Sequence, residues 1–429
     1  MKFSENPSIA KDVAATKLPA VDKRLPAEPL VVQPYNEIGK YGGTLRGISL
    51  APSSGTTEFF SLRLPTWVLM LDDLKTIVPN IAKSWEVNDK YTEWTFTLRK
   101  GHQWSDGKPF TTDDVVFWYE DYILNKELNP TVPSPWLVGG EPAKLTKVDE
   151  VTFKFTFAKP NPGLLTALSI SPYNVAIPKH AVSKYHIKYN PQANEEAQKA
   201  GFKTWVAWFS IYWNKWPDLM DKPEVPTLDS HMLKEAPTTE RRIRVANPYY
   251  FKVDTAGQQL PYIDTHLESF NGDKQLINLK IINGEVDMKA QSLDLASYPL
   301  YKENEAKGNY NLQLPPGFGG MIYAFNVTHT DPVLRKIFQD VRFKQAMSLA
   351  INREEINKLL YFGLAKPSQA VPSPKVSFIE ASMVSYMAQY DPAKANALLD
   401  EMGLKKGSDG FRLRQDGKPL SIRHYRDLT

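Results

Sequence analysis

Residues 79–121 read PNIAKSWEVNDKYTEWTFTLRKGHQWSDGKPFTTDDVVFWYED, and this stretch decides how the first part of the chain folds. In TEWTFTLR, apolar and polar residues alternate, which predicts a strand with one buried face. A Ser-Asp-Gly turn follows, and Thr111 and Asp114 have the spacing of a capping box at the start of a helix. Because VTFKFTFAKP at 151–160 alternates in the same way, we expect a small α+β unit with an antiparallel sheet.

The composition is that of a multidomain globular protein. The chain has 429 residues, of which 42% are hydrophobic and 12% aromatic, so two or three domains with buried cores are expected. Its 52 basic and 48 acidic residues give a net charge of +4 without a clustered basic face, which argues against nucleic-acid binding. Because the chain contains 0 Cys, disulfides, thiolate metal sites and cysteine nucleophiles are excluded.

No motif for catalysis, metal binding or cofactor binding is found. Phosphate-binding glycine loops, a nucleophile elbow and a zinc-protease helix are absent, and the 7 His residues are scattered. Asp113 and Asp114 could be offered as a catalytic carboxylate pair. Adjacent helical residues diverge by about 100°, however, and acidic residues at a helix start are favoured by the helix dipole. We therefore predict no catalytic residue, no metal and no cofactor.

Aromatic residues at helical spacing in 201–216, GFKTWVAWFSIYWNKW, leave two interpretations open. As core packing they are ordinary, since an amphipathic helix buries such a face. Alternatively, one or two of the rings line a cleft, where a flat apolar body with one polar tip suits peptide side chains and sugar faces. The sequence NPYY at 247–250 raises the same choice.

Several stretches together resemble one family. The opening stretch is followed, in the family's order, by NPYYFKVDTAGQQLPYID, INGEVDM, VRFKQAMSLAINREEI and YDPAKANALLDEMG. From about Gly39 onward the chain is similar to the family 5 extracellular solute-binding proteins, the peptide-, nickel- and oligosaccharide-binding receptors of ABC importers. The resemblance implies an α/β, mixed α+β, two-lobed periplasmic-binding-protein type II fold with a small extra domain on the first lobe.

The resemblance also implies a domain division. It gives a first lobe at 39–66 and 171–268, an accessory α+β domain at 67–170, and a second lobe at 269–429. For 1–38, the Pro, Lys and Ala content predicts a mobile N-terminal arm. Family members are usually longer and return to the first lobe, so the second lobe and that return are expected to be incomplete here. A fragment of a longer receptor, or a split or decayed gene product, would show reduced stability and weak binding unless a complementing segment is supplied.

The function implied by the resemblance is capture of an oligopeptide or oligosaccharide by cleft closure and delivery to an ABC permease in the membrane. We expect a periplasmic or extracellular monomer. No apolar signal-peptide core is seen at its N-terminus, so a signal peptide is absent or already removed. Alternatives are a non-binding or protein-interacting fragment and a peptide or glycan hydrolase. The candidate ligand-binding residues are Ser53, Ser54, Trp67, Trp205, Trp208, Trp213, Tyr250, Phe318 and Asn326.

Overall fold

The structure is a computed structural model that describes residues 2–52, 58–62, 66–171, 174–216, 220–314, 322–371, 376 and 378–423. The strands are β1 (Leu30–Val32), β2 (Thr44–Ser49), β3 (Val68–Met70), β4 (Ile77–Pro79), β5 (Ala82–Val87), β6 (Glu93–Leu98), β7 (Leu137–Val138), β8 (Glu141–Pro142), β9 (Lys144–Lys147), β10 (Thr152–Thr156), β11 (His231–Leu233), β12 (Arg241–Ala246), β13 (Lys252–Asp254) and β14 (Thr265–Phe270). The helices are α1 (Pro7–Ala14), α2 (Val21–Arg24), α3 (Thr112–Val116), α4 (Leu164–Ser169), α5 (Lys179–Val182), α6 (Ala193–Lys199), α7 (Trp205–Tyr212), α8 (Lys274–Ile282), α9 (Tyr298–Glu303), α10 (Glu305–Gly308), α11 (Pro332–Gln339), α12 (Val341–Leu349), α13 (Arg353–Leu360), α14 (Ala381–Ser385) and α15 (Pro392–Glu401).

The chain divides into two compact units, Met1–Asn311 and Leu312–Thr429. This division differs from the predicted start of the second lobe at residue 269. Residues 269–311 group with the first unit, to which Asp287 is tied by a 2.6 Å ion pair with Arg46 of β2. The family-like stretches of sequence give the order of the segments along the chain. They do not show which other segment each one packs against.

Residues 79–121 supply β5, β6 and α3, and β5 and β6 join β10 and β9 in an antiparallel sheet of order β5-β6-β10-β9. Alternate residues of β6 and β10 are buried, and Phe96 lies opposite Phe153 in the register. Thr111 and Asp114 make both hydrogen bonds of the capping box at α3, which continues as a π-helix over 117–123. The strand, the turn and the capped helix predicted from the sequence are therefore confirmed.

A second four-stranded sheet, in the order β11-β12-β14-β2, lies in the same unit. β11, β12 and β14 pair antiparallel, whereas β14 and β2 run parallel from Thr265–Thr44 to Phe270–Ser49. Parallel pairing brings the carboxyl ends of β2 and β14 to the same edge of the sheet. In open α/β sheets, ligands commonly bind outside that edge.

The N-terminal segment, expected from the sequence to be a mobile arm at 1–38, contains regular secondary structure. It forms α1, α2 and β1, and β1 pairs in parallel with β13. Arg24 is 0% exposed, and its guanidinium donates to the side chain of Gln259 at 2.9 Å and to the carboxylate of Glu5. These partners are remote in sequence, so the composition of the segment alone does not indicate them.

The second unit packs α11, α12 and α15 around a small apolar core that includes Phe338, Phe343 and Leu399. Its helix starts follow the sequence closely. Asp331 and Asp391 each accept hydrogen bonds from backbone N–H groups of the helix that follows, and each precedes a proline at the first helical position. An Asp followed by Pro is a helix-start signal that can be read from the sequence, and both helices begin at such a pair.

Candidate functional site

One face of the sheet β11-β12-β14-β2 carries buried charged and polar residues. Alternation places Arg242 and Arg244 on the same face of β12, and the register sets them opposite Glu268 and His266 of β14. All four side chains are at most 4% exposed. An Nη1 atom of Arg242 donates to Glu268 Oε2 at 3.2 Å, and its Nη2 donates to Asp221 at 2.8 Å.

Glu268 also accepts hydrogen bonds from residues at and after the carboxyl end of β2. Its Oε1 accepts hydrogen bonds from the Ser49 hydroxyl at 2.7 Å and from the Glu58 amide at 2.8 Å. Arg242 donates to the Pro52 carbonyl at 3.2 Å. The described backbone on both sides of residues 53–57 is therefore anchored to one buried ion pair.

A second buried pair continues this network. The Glu58 carboxylate, which is 0% exposed, accepts from the Lys289 ammonium and from the Ala290 amide at 2.6 Å. These bonds attach the segment that follows α8 to the end of β2. Because cations and amides bind these carboxylates, the network fixes the backbone segments that it joins relative to one another.

Gly47 allows an aromatic ring to pack closely on this face. A Cβ atom at Gly47 would lie 2.8 Å from Cζ of Phe59, so a side chain there would displace the ring. Phe59 in turn packs on His266, with ring centroids 4.8 Å apart, and His266 stacks on His231 at 3.6 Å. The polar face is thus closed by a rigid aromatic layer.

A cavity of about 40 Å³ lies beside this sheet in the first unit. Its lining includes two indoles, one aliphatic side chain and three ionisable side chains: Trp104, Trp213, Leu228, Asp229, His231 and Arg244. Trp213 is 4% exposed, and its indole N–H has no hydrogen-bond partner among the described residues. A ligand oxygen or an ordered water that accepts this bond would remove a cost of about 1–3 kcal/mol.

Within the first unit, the described candidates for ligand binding do not share one site. Trp213 lines the cavity. Trp67, in contrast, is 0% exposed and packs on Phe96 with ring centroids 5.1 Å apart in the apolar core of the first unit. A solute could reach Trp67 only if that core opened. Trp205 is buried and donates its indole N–H to Glu127 at 3.1 Å.

The remaining predicted residues lie elsewhere. Half-buried Trp208 packs on Tyr185 at 4.8 Å, and half-buried Tyr250 packs on Phe251 at 5.2 Å. Asn326 is exposed in the second unit and accepts a hydrogen bond from the Thr328 amide at 3.0 Å. Ser53, Ser54 and Phe318 lie outside the described residues. The ligand-binding role of all nine residues stays a prediction.

Sequence reasoning missed the charged residues of the sheet face. A signal for them was present, because Arg242 and Arg244 in RRIRVA and Glu268 in THLESF occupy the alternating positions that would face the core. Charged residues at such positions need partners. Which partner each one has is set by the register between strands.

Two further features of the described ranges bear on the kind of site. No group of three or more His, Asp or Glu side chains in them is arranged to hold a metal ion. No helix in the same ranges is long and apolar enough to cross a membrane.

The fold defines the general class of protein. The oligopeptide-binding protein OppA superposes with a TM-score of 0.76 at 38% identity, over 98% of this chain and 66% of that chain. The periplasmic binding protein MelB from Agrobacterium fabrum C58, solved in complex with stachyose, superposes with a TM-score of 0.71 at 24% identity, over 98% of this chain and 65% of that chain. The predicted fold class, that of two-lobed periplasmic binding proteins, is confirmed.

The family follows from the sequence comparison. The model of the family "Bacterial extracellular solute-binding proteins, family 5 Middle" matches residues 76–428, so the chain belongs to this family. The periplasmic alpha-galactoside-binding protein of Rhizobium meliloti is 26% identical over 431 aligned positions, which cover 92% of this chain. The chain spans 58% of the length of that relative.

Proposed function

We propose that the chain is a solute-binding receptor that captures an oligosaccharide or an oligopeptide and delivers it to an ABC permease. Membership of family 5 over residues 76–428 carries this proposal. The relatives' ligands support the two solute classes: one relative is an alpha-galactoside-binding protein, and the structural neighbour at 38% identity is an oligopeptide-binding protein. The family and these neighbours are binding proteins, and we propose that this chain likewise catalyses no reaction.

The cavity beside Trp213 is the part of the first unit that we propose contacts the solute. At about 40 Å³ it has room for one small group of a solute, and its buried indole N–H is a donor suited to a hydroxyl or carbonyl oxygen. The anchored end of β2 lies at the sheet edge where ligands commonly bind. We further propose a periplasmic or extracellular monomer that meets the membrane through its permease.

Titration calorimetry of the purified chain tests the function. Stachyose and an equimolar mixture of tri- to pentapeptides are each titrated into the protein, and melting is followed in parallel because a ligand of the native state raises apparent stability. Binding of one of the two classes with a raised melting temperature is expected. Absence of binding with both classes would contradict the proposal, and hydrolysis products detected by mass spectrometry would favour the hydrolase alternative.

The cavity assignment is tested separately by replacing Trp213 with Phe, which keeps a ring but removes the N–H donor. About a tenfold loss of affinity is expected from one lost hydrogen bond. Trp85→Phe is the matched control, since Trp85 lies on β5, does not line the cavity and is not a candidate ligand-binding residue, and it should bind as the parent does. If both variants bound the solute with equal affinity, the cavity would not be part of the binding site, and the proposed receptor function would be unaffected.

A further inference from the structure

Lys252 of β13 lies in an unusual environment for a lysine. Its Nζ is 5.5 Å from the ring centre of Phe251 and 5.8 Å from that of Tyr250. Its side chain is half-buried, and within the described part of the chain the ammonium makes neither an ion pair nor a hydrogen bond. The amine is thus held on aromatic carbon without a carboxylate to stabilise its charged form.

A second cation shares the Phe251 ring. The guanidinium carbon of Arg99 lies 5.8 Å from the ring centre, and Arg99 is fixed by donating to the carbonyls of Asn80 at 3.1 Å and Glu28 at 3.0 Å. His102 packs on the same ring at 4.7 Å, and its buried Nδ1 has no partner among the described residues. Three nitrogen-bearing groups therefore surround one phenyl ring.

The nearby acids are engaged elsewhere. The Glu28 carboxylate pairs with Lys83 at 2.6 Å. Asp254, two residues after Lys252, accepts from the Tyr262 hydroxyl at 2.7 Å and from the Gln258 side chain at 2.9 Å. Neither acid is placed to neutralise Lys252.

We infer that the Lys252 amine is a site of acylation by small acyl donors such as acyl phosphates. The unprotonated nitrogen attacks the acyl carbon and forms a C–N bond, while the C–O bond to phosphate breaks and phosphate leaves with its electron pair. The nitrogen releases one proton to solvent. The product is a neutral amide, so the repulsion between Lys252 and Arg99 is removed.

The protonation equilibrium supports this assignment. Burial, and then the positive charge of Arg99, lowers the pKa of Lys252 to about 8. An ordinary lysine has a pKa of about 10.4, so the neutral fraction of the amine at pH 7.5 is on the order of 100-fold larger at Lys252. Because a weaker base is also a weaker nucleophile, we expect a rate advantage of roughly tenfold.

Quantitative acetylation tests the inference. The 429-residue chain is treated with limiting acetyl phosphate at pH values from about 6.5 to 9.5, and the occupancy of each lysine is measured by peptide mass spectrometry. Lys83 is the internal reference, because it is 41% exposed and ion-paired. At pH 7.5 we expect Lys252 to be acetylated about tenfold faster than Lys83, with a rate that levels off above about pH 8.

Two variants sharpen the result. Lys252→Arg should abolish the fast modification and leave the rate at Lys83 unchanged. Arg99→Gln should slow the reaction of Lys252 at pH 7.5, because removal of the neighbouring cation raises the pKa of the amine; thermal melting would verify that this variant folds. Acetylation of Lys252 no faster than Lys83, or a rate that still rises steeply at pH 9.5, would overturn the inference.

Discussion

Arg242 and Glu268 show how single residues determine the sheet face. Both side chains are buried, and Arg242 pairs with Glu268 at 3.2 Å and with Asp221 at 2.8 Å. Removal of one member leaves a charge without its partner in a poorly solvated place. We therefore expect Arg242→Met to lower the free energy of unfolding by about 3–5 kcal/mol, measured by urea denaturation.

The control for that prediction is an exposed pair in the same unit. Lys83 and Glu28 approach to 2.6 Å, but their side chains are 41% and 66% exposed. Because water solvates both groups, Lys83→Met should change the free energy of unfolding by about 1 kcal/mol or less. A similar loss in both variants would show that burial does not decide the value of the Arg242 pair.

His102 makes the stability of the protein depend on pH. Burial, and then the charge of Arg99, lowers its pKa to about 3, so the folded protein keeps the ring neutral where the unfolded chain, with a pKa near about 6.5, takes up a proton. The unfolded state binds more protons in this window. Stability contributed at neutral pH is therefore lost as the pH falls from about 6.5 towards 3.

The expected size follows from the same linkage. Between pH 6.5 and pH 5 this group should cost about 2 kcal/mol of unfolding free energy. In His102→Phe, urea denaturation should show a correspondingly smaller loss over the same interval. An identical pH dependence in the parent and the variant would contradict the assignment of a neutral, buried ring.

At the residue scale, the sequence predicted which side chains are buried better than what they contact. Trp205 and Trp213 both come from the aromatic stretch, yet Trp205 donates its indole N–H to Glu127, whereas Trp213 lines a cavity and its N–H has no partner among the described residues. Helical spacing gives the direction of a side chain relative to its own helix. Whether protein or open space lies there depends on segments far along the chain.

Helix α3 offers a test at the scale of one element, because its first turn carries two adjacent aspartates with different surroundings. Asp114 accepts hydrogen bonds from the Thr111 amide at 3.0 Å, the Trp104 indole at 3.2 Å and the Lys179 amide at 3.0 Å. Asp113 is exposed and pairs with Lys147 at 2.7 Å. We expect Asp114→Ala to cost about 3 kcal/mol of unfolding free energy, since three bonds to a buried carboxylate are lost.

Asp113→Ala is the matched control and should cost about 1 kcal/mol or less, because both partners of its ion pair are exposed. Chemical denaturation of the two variants measures the difference directly. Equal costs would mean that the three acceptor contacts of Asp114 contribute nothing beyond a surface charge at the helix start.

Elements with a regular alternation of apolar and polar residues, or with a clear capping signal, could be predicted from the sequence. Elements that depend on pairing with a distant segment could not. β6 and β10 alternate in sequence and in burial, and Asp331-Pro332 marks the start of α11. β1, in contrast, pairs with β13, so that Leu30 lies beside Lys252. Three residues, LVV, carry no signal for a partner more than 200 positions away, and the segment was therefore predicted as an arm.

For the whole molecule, the resemblance to the family 5 proteins predicted the fold class, whereas the division into two compact units became visible only in the packing. The predicted family and fold class are confirmed, whereas compact packing places 269–311 in the first unit. Each unit has a separate apolar core. Phe153 belongs to the core of the first unit and Phe343 to that of the second.

Separate cores predict separate unfolding steps, since a chain of several compact units need not melt as one. Phe153 and Phe343 are both 0% exposed, so replacement by Ala should cost about 3–5 kcal/mol in either core. In differential scanning calorimetry of the full chain, we expect two transitions. Phe153→Ala should lower the transition of Met1–Asn311, which absorbs more heat because that unit is larger, and Phe343→Ala should lower the other. A single transition lowered equally by both variants would show that the two cores unfold as one cooperative unit.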